Sequence, residues 1–215
     1  MKIERDKACE FIEFNRLPRP SAKQIVLMGA TNSVFAALMP FADRFPIGVL
    51  PISVFIIICH IVIGVKLNKN VNANYRDICL YYSLLFLLFS ANFLMISTCL
   101  TASASESIWD WMILLLTYIL SFVGCFFLII AAIKRGEYQK NKKASNKLKI
   151  AGASAGLLVI SISRFLFNIP NQALSDKIFS ALILIGSITF LYLGLNSLIK
   201  YYLLKHCTEI KTVNV

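Results

Sequence analysis

The side chains best equipped for covalent or metal chemistry in this 215-residue chain are two histidines and six cysteines. The cysteines are Cys9, Cys59, Cys79, Cys99, Cys125 and Cys207, and no two of them form a C-x-x-C pair. A zinc or haem site needs ligands that converge, and this spacing offers no such set, so neither a metal nor a cofactor is expected. Successive residues on a helix project about 100° apart, so the Cys59-His60 dipeptide is not a nucleophile–base pair. The chain also lacks H-E-x-x-H, Walker and G-x-G-x-x-G motifs. The expectation is a protein that is not an enzyme.

What remains is a set of polar side chains set into long apolar runs. Arg164 interrupts one such run, and its guanidinium could bind an anion or reach the headgroup region. His60 could titrate near neutral pH or hydrogen-bond a neighbouring helix. Asn32, Asn92, Asn168 and Asn196 add a neutral amide to each of four runs. In hydrocarbon each amide must find a partner, whether a ligand in a polar cavity or another helix. These six residues are the candidate ligand-binding set. Small residues recur at helical spacing as Gly29, Ser33 and Ala37, and again as Gly152 and Gly156. Such faces let backbones approach, within one chain or against a partner. No Asp or Glu lies inside any of the runs, which disfavours a self-contained carrier driven by protons or sodium ions.

The elements that must position these residues are membrane spans. The chain is 58% hydrophobic and 15% charged, which excludes an ordinary soluble domain and a disordered chain. A bilayer core about 30 Å thick needs about 20 apolar residues of helix. Six stretches meet that requirement, at about 24–42, 46–65, 78–99, 111–133, 150–169 and 178–199. The expected fold class is therefore all-α, a polytopic integral membrane bundle of six helices. Its transmembrane domain covers 24–203, with an arm at 1–23 and a tail at 204–215. The net charge of +11 is distributed unevenly. With both termini cytoplasmic, every basic residue falls on the inside except Arg44, Lys177 and the intramembrane Arg164. Asp43, Glu106, Asp110 and Asp176 lie on the other face. The excess of Lys and Arg on one side sets the orientation.

Outside the spans, Glu4 to Phe14 could form a short interfacial helix with Ala8, Phe11 and Ile12 on one side. Lys134 to Lys149 carries seven bases and one acid, which suits anionic lipid headgroups. No stacking-aromatic pattern or nucleic-acid motif accompanies it, so no nucleic-acid partner is expected. The setting expected is a bacterial inner membrane. Two functional readings follow. One is a small transporter, or the substrate-binding membrane subunit of a larger transporter. The other is a protein that binds another membrane protein, as an immunity or assembly factor does, or a second copy of itself.

Overall fold

A computed structural model describes residues 4–14, 16–38, 50–69, 74–104, 107–138 and 171–206. These residues are all-helical in their regular structure, without a strand. In chain order the helices are α1 (Arg5–Glu13), α2 (Ala22–Leu38), α3 (Leu50–Lys69), α4 (Tyr75–Ala104), α5 (Ile108–Arg135) and α6 (Gln172–His206). Three of them, α4, α5 and α6, are long and apolar enough to cross a membrane. The stretch at 150–169 lies outside the described residues, and Arg164, Asn168, Gly152 and Gly156 lie outside with it.

The helices overrun their charge-free windows. α4 begins at Tyr75 rather than 78, and α6 runs from Gln172 to His206 rather than over 178–199. Backbone i→i−4 bonding does not stop where hydrocarbon stops, because charged residues at the headgroup level remain good helix formers. The ends are set by local chemistry instead. Ser21 and Gln24 cap α2 reciprocally: the Ser21 N–H donates to Gln24 Oε1 at 2.9 Å, and the Gln24 N–H donates to Ser21 Oγ at 3.3 Å. Asn171 Oδ1 accepts the Leu174 N–H at 3.2 Å at the start of α6. Gly136 ends α5 at φ 67°, ψ 29°, a left-handed conformation that glycine adopts without steric cost. The Gly136 and Glu137 N–H groups there donate to Ile133 and Ala132 C=O.

α4 is the central element, and its most extensive contact is with α6. α3 and α2 pack on one side of it, while α5 packs mainly on α6. The start of α2 meets the end of α3, where Arg19 donates to Leu67 C=O at 3.0 Å and Gly64 brings the backbone against Ile25. The start of α4 and the ends of α5 and α6 meet α1 at that same end. At the opposite end, Lys177 at the start of α6 pairs with Asp110 at the start of α5, 3.2 Å away. So α2 and α4 run one way and α3, α5 and α6 the other. The end that gathers Arg16, Arg19, Lys66, Lys69, Arg76, Lys134, Arg135 and Lys205 is strongly basic.

α1 forms where the sequence puts a short helix, and the side with Ala8, Phe11 and Ile12 is the buried one. That side faces protein. It enters a core cluster with Cys79 of α4, Ile129 and Ile133 of α5, and Leu191, Leu195, Ile199 and Leu203 of α6.

Candidate functional site

The structure brings two of the four asparagines together. Asn32 of α2 and Asn92 of α4 are both 0% exposed. Asn92 Nδ2 donates to Asn32 Oδ1 at 3.1 Å and reaches Asn32 C=O at 3.4 Å. Two primary amides can close a ring of two N–H···O bonds, since each carries a donor and an acceptor. Only one of the two is made here. Asn32 Nδ2 and Asn92 Oδ1 are left buried with no hydrogen-bond partner among the described residues. One donor and one acceptor of the pair are therefore buried and unsatisfied among the described residues. An unsatisfied buried polar group costs about 1–3 kcal/mol.

His60 of α3 is 1% exposed and lies against Tyr81 of α4, with ring centroids 4.7 Å apart. His60 Nε2 and Tyr81 Oη are buried and likewise without a hydrogen-bond partner among the described residues. The rings continue from Tyr81 through Tyr82 and Phe86 to Phe190 of α6, against which Phe89 and Phe93 also pack. Gly186 makes room for this aromatic seam: a Cβ there would lie 3.2 Å from Phe93. Asn196 sits on α6 away from these groups in sequence, half-buried, with its Oδ1 buried and unpartnered among the described residues.

The tightest polar arrangement joins α4 to α6, and no motif search of the sequence singles it out. Ser90 Oγ donates to Ser187 C=O at 2.9 Å, and Ser187 Oγ donates to Ser90 C=O at 2.7 Å. One heptad along, Ser97 Oγ donates to Ser180 C=O at 2.9 Å and Ser180 Oγ returns the bond at 2.8 Å. Each serine hydroxyl has one proton, and both protons of a pair are committed across the seam. The Tyr118 hydroxyl of α5 lies 2.9 Å from Ser90 Oγ and hydrogen-bonds with it. The signal in the sequence is a seven-residue repeat of small residues, Ser83, Ser90 and Ser97 on α4 and Ser180, Ser187 and Gly194 on α6. Such a repeat lays one seam along each helix of an antiparallel pair. At Gly194 the backbones come close enough that a Cβ would lie 3.0 Å from the Leu87 side chain and 3.2 Å from its backbone nitrogen.

The small-residue face on α2 behaves differently. A Cβ added at Gly29 would meet nothing within 4 Å among the described residues. Ser33 Oγ donates to Gly29 C=O at 2.9 Å, within its own helix. Ala37 lies in the last turn of α2. Of the basic stretch, Lys134 and Arg135 are exposed in the last turn of α5, and 139–149 lies outside the described residues. Beside it, burial raises the Tyr138 phenol above its ordinary pKa, and Tyr192 and Glu137 add to the effect. Among the described residues no three His, Cys, Asp or Glu side chains come together as a metal would need.

The chain matches no protein-family profile, no curated protein sequence and no solved structure.

Proposed function

We propose that this chain is a non-enzymatic membrane protein of six spans with both termini cytoplasmic. In this reading it holds a small neutral polar molecule against the Asn32–Asn92 wall. It does so as a small transporter, or as the substrate-binding membrane subunit of a larger one, in a bacterial inner membrane. The observation that carries the reading is the half-made amide pair. Two asparagines retained only for packing would complete both bonds, and these leave a donor and an acceptor unsatisfied among the described residues. A ligand carrying a carbonyl beside an N–H or O–H fits that pattern. His60 Nε2 and Tyr81 Oη offer further unfilled positions on the adjoining α3–α4 contact.

The six-span arrangement is supported by the directions of the helices. α5 ends at the basic end and α6 begins at the opposite one. The chain between them has to return, and 150–169 is the apolar stretch in it long enough to span a bilayer. Arg164 then falls within that stretch of the sequence. The basic end faces the cytoplasm by the positive-inside rule, with Lys134 to Lys149 on anionic lipid headgroups. With an impermeant maleimide on intact cells, Cys9 and Cys207 are expected to stay unlabelled until the membrane is permeabilised. Labelling of Cys9 or Cys207 on intact cells inverts the orientation.

The ligand reading is tested by extraction into polymer-bounded discs with native lipid, followed by mass spectrometry of what is retained. A small polar molecule is expected from the natural chain and not from Asn92→Leu, with both eluting as folded particles. Lipid alone from both overturns it. Stoichiometric recovery of a second membrane protein instead supports the other reading, an immunity or assembly function. The open surroundings of Gly29 favour that alternative, because a Cβ there would meet nothing within 4 Å among the described residues.

A further inference from the structure

The segment that follows α1 crosses the basic end of the bundle, and the hydrogen bonds that tie it to three helices each involve a backbone group. Lys200 of α6, 2% exposed, donates through Nζ to Phe14 C=O and lies 5.4 Å from the centre of the Phe11 ring. The Tyr75 hydroxyl at the start of α4 accepts the Leu17 N–H at 3.1 Å, and the Arg16 guanidinium covers the Tyr75 ring at 5.0 Å. Arg19 reaches Leu67 C=O at the end of α3. Three helix ends are thereby tied to one short stretch of extended chain. Its apolar contacts are confined to one side of a nine-residue helix and the stretch after it: Ala8, Phe11 and Ile12, the Phe11 and Phe14 rings against Tyr138, the buried Pro20, and the partly buried Cys9 and Leu17.

Leu17 has a particular position. Together with Tyr75 it packs against both core clusters: the one under α1, which contains Cys79, and the one formed by Ile25, Leu67, Ile78, Tyr81, Tyr82 and Leu85. The second cluster contains Tyr81, whose ring carries His60. Leu17 therefore sits where the two clusters meet at the basic end, and the second cluster extends from there to Tyr81 and His60.

We infer that α1 and residues 16–20 form a strap that undocks and redocks as one unit, with Leu17 as the plug over the basic-end approach to Tyr81 and His60. A segment fastened along one side of a short helix and by a handful of backbone hydrogen bonds opens at lower free energy than a helix buried on several sides. α4 is buried in that way and stays in place as the strap leaves. The inference holds whether the interior carries a small molecule or only packs.

Native cysteines report on it. Cys79 lies beneath the strap, and Cys99 lies toward the opposite end of the same helix. Two chains are compared in lipid discs, each carrying Cys→Ser at the other five cysteine positions, one retaining Cys79 and the other Cys99. N-ethylmaleimide is the probe. Phe11→Ser and Lys200→Met, each introduced separately, are expected to speed Cys79 modification about tenfold or more while Cys99 changes by less than about twofold. An unchanged Cys79 rate overturns the strap, and so does equal acceleration at Cys99, which would mean that the whole bundle had loosened. Hydrogen exchange of the unaltered protein gives a second reading. The amides of α1 are expected to exchange together and well before those of mid-α4, and exchange of both in a single step would refute an independent strap.

Discussion

α4 and α5 have nearly the same length and both are apolar enough to cross a bilayer, yet they live in different surroundings. Half of the apolar window of α4 is buried inside the protein, against 22% for α5. Both carry hydroxyls, and those at the small-residue repeat of α4 behave differently from those on the exposed side of α5. On α4, Ser90 and Ser97 donate across to carbonyls of α6. On α5, Thr117 and Ser121 donate to Ile113 and Thr117 C=O of their own helix, each at 2.7 Å, and face outward with Leu116, Leu120 and Phe127. Both are ways of satisfying a hydroxyl in hydrocarbon. Which one it takes depends on whether the opposite helix can come close, and Ser180, Ser187 and Gly194 let α6 do so. Apolarity by itself does not separate a helix that faces lipid from one that faces protein. Small residues placed at a coiled-coil repeat do.

The largest expected contrast is between two glycines. Gly194→Leu drives side-chain atoms into Leu87 and should cost about 3 kcal/mol through overpacking. A Cβ added at Gly124 of α5 would meet nothing within 4 Å among the described residues, so Gly124→Leu should be neutral or should gain up to about 1 kcal/mol of helix propensity. Thermal unfolding of both variants in the same detergent checks this, and equal losses would mean that the α4–α6 approach is not tight. Next comes the amide pair. Asn92→Leu strands Asn32 in the interior and should cost about 2 kcal/mol. The double variant Asn32→Leu/Asn92→Leu should recover part of that, because neither amide is then orphaned. The smallest effects are at hydroxyls. Ser90→Ala and Ser187→Ala should each cost about 1 kcal/mol and sum to less than their separate losses. Thr117→Ala on the exposed side of α5 should stay within about 0.5 kcal/mol. A loss at Thr117 as large as at Ser90 would erase the distinction between cross-helix and same-helix bonding.

Much of the helix inventory was legible in the sequence, because charge-free runs of about 20 residues leave few alternatives. Five of the six runs coincide with α2 to α6 over the described residues, and Ala8, Phe11 and Ile12 were legible as one face of a short helix. That this face would dock under α4, α5 and α6 rather than lie in the headgroup layer was not legible, since an interfacial helix and a docked helix have the same pattern. Asn32 and Asn92 were legible as amides in need of partners, and their choice of each other was not. The Ser83–Ser90–Ser97 and Ser180–Ser187–Gly194 repeats were in plain view. They become informative only once the two helices are known to be antiparallel neighbours in one register.

By itself, then, the sequence determined the helical class, the approximate stretches of membrane-spanning character and the collection of positive charge at one end, because hydropathy and charge act residue by residue and sum along the chain. The tertiary structure decided which hydroxyl meets which carbonyl, which amides pair, and where the N-terminal segment comes to rest. Those outcomes depend on the relative register and distance of helices far apart in sequence. Lipid tails and leucine side chains are so alike as surroundings that no single-residue scale distinguishes burial in one from burial in the other.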